Sequence, residues 1–236
     1  MKNNGEPVFP LKDETPTSRF PILTVLLIVV NSAIFVFTLL NGTFEETIDL
    51  YGMRPVEVLA GSKLETLFIS MFLHGGVLHL FGNMLYLYIF GDNIEDSLGH
   101  GKFLLFYLGT GLISSLIHAM TDPSSSIPTI GASGAISGVL GAYILLYPRA
   151  RVHTAVGIYF FWRIVMVPAV FFLGFWFVLQ VLSASLTWMT GLTSGVAYWA
   201  HIGGFAAGAI MILPVRAKLR KHKRKGTGQT FDYTSS

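Results

Sequence analysis

No cysteine occurs among the 236 residues of this chain. Neither a disulfide framework nor a thiolate metal site is therefore available, and the redox compartment leaves no trace in the sequence. Charge is scarce as well. Asp, Glu, Lys and Arg make up 12% of the residues, about half the ~25% that a soluble domain carries. The shortage is uneven: charges sit between long apolar runs, and hydrophobic residues reach 52%. That pattern excludes an ordinary soluble domain and points to a polytopic membrane protein. A His-Glu-x-x-His stretch is missing too, and His74, His79 and His201 lack the i, i+4 spacing of helical zinc ligands. No metal and no cofactor is expected.

What is present divides into an arm, six apolar segments and a tail. Residues 1–20 are polar and carry Pro7, Pro10 and Pro16, which reads as a flexible arm. The first segment, Pro21 to Leu40, is long enough to cross ~30 Å of hydrocarbon at 1.5 Å per residue. It is longer than a signal-peptide core and has no small-residue cleavage site. Residues 41–67 are too charged to span, but Val58, Leu59, Leu64 and Leu67 make them amphipathic, so this first loop is expected at the headgroup level. Further segments run from His74 to Phe90, Phe103 to Ala119, Ser133 to Tyr147, Ile164 to Ser185 and Ser194 to Val215. Residues 216–236 form a basic tail, expected to be disordered. A basic stretch directly after an apolar helix meets anionic lipid headgroups more often than nucleic acid. The fold class is thus an all-α membrane protein, a six-helix bundle over residues 21–215.

Six crossings put both termini on one side. Every Lys and Arg except Arg54 and Lys63 falls in the arm, the 91–102 loop, the 148–163 loop or the tail. The positive-inside rule makes that side the cytoplasm. The expected location is a prokaryotic cell membrane, with the second, fourth and sixth segments running inward from the outer face.

Depth then becomes countable. Ser133 lies 16 residues before Arg149 and His201 15 before Arg216, about 24 Å and 22 Å along a helix. Both fall in the outer half of the membrane at nearly equal depth. His79 is also in the outer half, and Asn83 shares its face one turn deeper. Polar groups are costly in lipid, so these should face protein or a water-filled cavity. The plain reading is structural: Ser133 starts a helix, and the histidines and Asn83 satisfy one another across helices. The alternative is chemical. Gly134, Gly138 and Gly141 on the fourth segment, with Gly204 and Gly208 on the sixth, allow close backbone approach. That approach would bring His201 within reach of Ser133, as base to nucleophile. Acidic residues all lie in loops, tails or helix ends, so a Ser–His dyad is expected rather than a triad. Backbone N–H groups at Ser133 and Gly134, at a helix N-terminus, can stabilise an oxyanion, helped by His79 and Asn83. Gly131 and Gly134 permit the sharp turn that presents the hydroxyl.

Together, Gly131-Ala132-Ser133-Gly134, Ala200-His201-Ile202-Gly203-Gly204, the His74…His79…Asn83 pattern and Gly91-Asp92-Asn93-Ile94-Glu95-Asp96 resemble the rhomboid family of intramembrane serine proteases, over about residues 20–215. The resemblance implies Ser133 as nucleophile, His201 as base, and an oxyanion hole of His79, Asn83 and the Ser133 amide, with His74, Gly131, Gly134 and Gly204 in support. It implies a serine endopeptidase, a hydrolase of peptide bonds in or near the transmembrane helices of single-pass proteins. A catalytically silent relative that binds transmembrane clients is the alternative. Two departures stand out. Glu65-Thr66 occupies the place of a Trp-Arg pair common in the first loop of relatives, so this loop is expected to be anchored differently. Ser137 stands where some relatives carry a tyrosine that stacks on the catalytic histidine, which leaves packing against Gly138 and Phe205 to hold His201.

Overall fold

A computed structural model describes residues 8–158, 161–191 and 195–226 of the chain. In chain order its elements are β1 (Val8–Asp13), α1 (Ile22–Leu40), α2 (Phe44–Tyr51), α3 (Pro55–Leu59), α4 (Thr66–Ile69), a 3-10 turn (Ser70–Phe72), α5 (Val77–Leu98), α6 (His100–Thr121), α7 (Ser133–Leu146), β2 (Arg151–Ile158), β3 (Phe161–Pro168), α8 (Ala169–Thr190), α9 (Tyr198–Met211) and α10 (Leu213–Gly226).

The bundle is built outward from α7. Its residues Gly134–Tyr143 are buried without exception, and a helix that is apolar all round belongs in an interior. With 14 residues it is about 21 Å long, shorter than the hydrocarbon core. It can be short because it meets α5, α6 and α9 on its sides rather than lipid. Among the described residues four helices are long and apolar enough to cross a membrane: α1, α6, α8 and Tyr198–Leu219, where α9 runs on into α10. Thr66–Phe72 with α5 passes as a fifth, bent by 94°. The architecture is that of a mostly helical membrane bundle, with the fourth expected segment enclosed at its centre.

The first loop is pinned to α6. Met53, Val58 and Leu67 form a small core with Ala119, packed against Leu112 and Leu116. Thr66, fully buried, donates its hydroxyl to the Lys63 carbonyl at 2.7 Å. These contacts anchor a loop that has Glu65-Thr66 in place of the Trp-Arg pair.

Among the described residues, three strands add to the helices expected from sequence. β1, β2 and β3 form an antiparallel sheet in that order. It replaces most of the 148–163 loop and delays the fifth helix to Ala169 instead of Ile164. Hydropathy cannot separate an apolar strand from a membrane helix, but Pro168 could have: a proline is tolerated in a helix only at its first turn and keeps the residue before it extended. The arm is likewise not free from Val8 onward. The motif at the end of α5 holds it: Asn93 Nδ2 donates to the Thr15 carbonyl at 3.1 Å, and Ser18 Oγ donates to Asp96 at 2.8 Å. Tyr143, near the end of α7, donates to Asp13 at 2.5 Å. The expected arm's residues 1–7 and the tail's residues 227–236 lie outside the described residues. The tail as far as Gly226 continues as helix α10 rather than as disordered chain, since forming each further turn of an existing helix is far easier than nucleating one.

Glu95 acts at the same end. The N-cap residue of α1, Pro21, makes no side-chain cap, so a carboxylate from another helix takes that role. Glu95, 1% exposed, accepts from the Leu23 and Thr24 amides at 2.8 Å each, from Thr24 Oγ1 at 2.7 Å and from His100 Nδ1 at 2.6 Å. Negative charge at a helix N-terminus is favourable, and charge-assisted bonds are the strong ones. Glu95→Ala is expected to remove about 3 kcal/mol of stability, since hydrogen bonds to charged groups contribute ~1.5–3 kcal/mol each and water will reach some of the freed donors. A thermal melt in detergent unchanged from wild type would rule this out.

Candidate active site

Ser133 is the first residue of α7, and its approach is fixed from outside the helix. The Gly131 amide donates to the Ser70 carbonyl at 2.9 Å, and Met53 and Thr129 form a two-residue β-bridge. Gly131 has φ +121, a conformation that L side chains rarely adopt. Its second constraint is space: a Cβ there would lie 2.8 Å from His79 Nε2. The imidazole of His79 and the hydroxyl of Ser133 thus flank one glycine.

His201 sits in the first turn of α9. Ser114 Oγ on α6 donates to the Ala200 carbonyl at 2.7 Å and sets the height of that turn. Glycines set the separation. A Cβ on Gly204 would fall well inside 3.0 Å of the Gly134 carbonyl, one on Gly208 inside 3.0 Å of the Gly138 carbonyl, and one on Gly141 inside 3.0 Å of the Phe205 carbonyl. Helices α7 and α9 therefore touch backbone to backbone along two turns. The result is a distance of 2.9 Å between His201 Nε2 and Ser133 Oγ.

The other imidazole nitrogen was not accounted for in the sequence. His201 Nδ1 lies 2.8 Å from Gln180 Oε1 on α8. The Trp176 ring, one turn earlier on the same helix, is 5.9 Å from the imidazole at 33°. Packing on Gly138 and Phe205, expected from sequence, is not what holds His201. Gly138 faces Thr110, and Phe205 stacks on Phe177 at 4.6 Å. Gln180 is neutral, so it is not among the carboxylates from which a third member of a triad would be expected. Its mark in the sequence is faint: it is the single amide of a helix whose other polar residues are hydroxyls, four residues after a tryptophan. Ser137, which stands where some relatives carry a stacking tyrosine, donates its hydroxyl to the Ser133 carbonyl at 2.7 Å.

His79 accepts from the Gly75 amide at Nδ1, 3.3 Å away. In the neutral ring that leaves the proton on Nε2, the nitrogen facing Gly131. Asn83, 7% exposed, donates through Nδ2 to the His79 carbonyl at 2.9 Å, which uses one of its two N–H groups. His74, 2% exposed, backs His79 edge-on with ring centroids 5.1 Å apart. The first N–H groups of α7 have no acceptor within their own helix. Ser133, His201, His79 and Asn83 all border one cavity of about 1030 Å³. Among the described residues no group of three His, Cys, Asp or Glu side chains is placed to hold a metal ion.

A hydroxyl on a helix N-terminus, an imidazole at hydrogen-bond distance and converging N–H donors over a cavity are the parts of a nucleophilic site. A family model, the rhomboid domain, matches residues 61–218. The chain belongs to the rhomboid family. It is an integral, multi-pass membrane protein. Among similar proteins is the rhomboid protease GluP of Bacillus subtilis, 32% identical over 82% of this chain and 36% of that protein. RHOMBOID-like protein 4 of Arabidopsis thaliana is 32% identical over 68% of this chain and 36% of its own length. The mitochondrial RHOMBOID-like protein 12 of the same plant is 30% identical over 80% and 57%. The chain thus spans about a third to somewhat over half the length of these relatives. The matched rhomboid domain contains every candidate site residue from His74 to Gly204, and the Asp92–Asp96 anchor with them.

Proposed function

We propose that this rhomboid is an intramembrane serine endopeptidase that cuts single-pass membrane proteins in or near their transmembrane helices. The observation that carries the reading is the 2.9 Å approach of His201 Nε2 to Ser133 Oγ at the edge of the cavity. The similarity to GluP, named a rhomboid protease, supports it. In this mechanism His201 Nε2 takes the Ser133 proton as Oγ attacks the scissile carbonyl carbon. The resulting oxyanion is met by the Ser133 N–H, His79 Nε2–H and the free Asn83 N–H. His201 then gives its proton to the leaving amine, and water, activated by the same imidazole, releases the acyl group from Ser133. Lys and Arg concentrated in the arm, the 91–102 and 148–163 stretches and the tail, with six crossings, support both termini being cytoplasmic, and the likeness to a Bacillus subtilis protein supports a prokaryotic cell membrane.

The test is a fluorogenic transmembrane peptide incubated with purified protein in detergent, alongside fluorophosphonate labelling. Cutting together with labelling at Ser133 is the expected result. Binding of the peptide with neither cleavage nor labelling would instead mark a client-binding protein. The pH dependence has a definite sign. Only neutral imidazole accepts a proton, so the rate is expected to rise with pH as His201 deprotonates and then to level off. A profile flat from acid to neutral would exclude His201 as the base.

A further inference from the structure

We infer that Gln180 is a positioning residue for His201, holding the imidazole with its proton on Nδ1 so that Nε2 is left to accept from Ser133; this rests on the serine endopeptidase reading. Helix α8 buries 17% of its apolar span, against 28% to 39% for the other three candidate spans. Most of its surface is therefore available to lipid. The one amide it carries is nevertheless half-buried, with Oε1 2.8 Å from His201 Nδ1. A polar side chain on such a helix is costly unless a partner satisfies it, and His201 is that partner.

The consequence for the ring follows from counting protons. A neutral imidazole has one N–H and one lone pair. An amide oxygen only accepts, so the nitrogen facing it carries the hydrogen. The lone pair then belongs to Nε2, 2.9 Å from Ser133 Oγ, which is the tautomer a general base requires. Trp176, one turn earlier on the same face, limits rotation of the ring about its own axis. Gln180 does not border the cavity, whereas Trp176 and His201 do. It acts through the histidine and does not touch the reacting atoms.

An amide suits the location better than the carboxylate of a soluble triad. It fixes the tautomer without burying a charge in a membrane protein, which is costly unless the charge is fully paired. It also gives less help to the imidazolium that forms during reaction. The other titratable groups facing His201 are His79 on α5 and His118 on α6, and neither substitutes for the Nδ1 acceptor.

The experiment follows the fluorophosphonate labelling rate of Ser133 against pH, in detergent, for wild type, Gln180→Met and Gln180→Glu, with Ser133→Ala as blank. Methionine keeps the volume and removes the acceptor. Its labelling is expected to slow about 10- to 100-fold at the plateau, smaller than the effect of a lost triad carboxylate. Glutamate keeps the acceptor and adds charge. It is expected to label within a few-fold of wild type at high pH, with the acid limb moved to higher pH because a neighbouring carboxylate favours the imidazolium. Wild-type rate and profile in Gln180→Met would overturn the inference. If Gln180→Met does not fold, Gln180→Glu decides: an unmoved acid limb overturns it. If wild type labels no faster than Ser133→Ala, the endopeptidase reading has failed, and that result is distinguishable because no variant then differs from the blank.

Discussion

Ser133→Ala and His201→Ala are each expected to lower peptide cleavage by at least about 10³-fold, and the double variant no further than the weaker single one. The reason lies in the geometry. An alcohol is a poor nucleophile until its proton has somewhere to go, and the only base within hydrogen-bond distance of Ser133 Oγ among the described residues is His201. Removing the base leaves an unactivated hydroxyl, and removing the hydroxyl leaves a base with nothing to activate. Groups that act in one step give non-additive losses of this kind. What survives should be the background from the converging donors, chiefly the first N–H groups of α7 and His79. Stability should change little, because Ser133 lies at the end of its helix and gives up one hydrogen bond worth ~1 kcal/mol. The measurement is kcat/KM for a transmembrane peptide for both singles and the double. Independent, multiplying losses would mean that the two residues do not act together. A Ser133→Ala protein cutting at the wild-type rate would remove the mechanism.

The second large effect is expected far from the chemistry. Gly208→Ala lies two turns below His201, with no contact to the cavity. A methyl group there meets the Gly138 carbonyl, backbone that cannot swing aside as a side chain can. Helices α7 and α9 must separate or tilt, and overpacking of this sort costs about 1–3 kcal/mol. The Ser133–His201 bond sits at the top of the same interface, so the separation is carried to it. A misplacement of ~1 Å at a reacting pair can cost on the order of 10²-fold in rate. Gly208→Ala should therefore lower both the melting temperature and kcat. Gly174→Ala is the matched control, since a Cβ on that glycine of α8 meets nothing within 4 Å. If Gly208→Ala melts and cuts like wild type, the backbone contact does not set the distance between nucleophile and base.

Much of this was legible before folding because a membrane makes depth a linear coordinate. Counting residues from Arg149 and Arg216 put Ser133 and His201 at one level, and the glycines at 134, 204 and 208 said that their helices could approach. The position of His79 and Asn83 on one face needed only the helical period. Gln180 was not legible in the same way. It belongs to a helix whose rotation about its axis is decided by what it packs on, and an apolar sequence with a single amide does not declare that rotation. The expected role of Phe205 went astray for the same reason: its ring was claimed by Phe177, across α8 and α9, and not by His201.

The sheet shows the limit from the other side. Strand β1 pairs with a strand some 140 residues later, Val8 opposite Val156, and nothing local to either stretch requires the other. The hydropathy of 161–167 does not separate a strand from a membrane helix, and only Pro168 marks where the helix must begin. The sequence alone determined which side of the membrane its charges favour and which residues had to hide from lipid, because these follow from charge distribution and the cost of burying polar groups. The tertiary structure decided which hidden groups meet. It put an amide behind His201, a carboxylate over the start of α1 and a strand on the arm, because contacts between elements depend on how whole surfaces fit and not on any one segment's own preference.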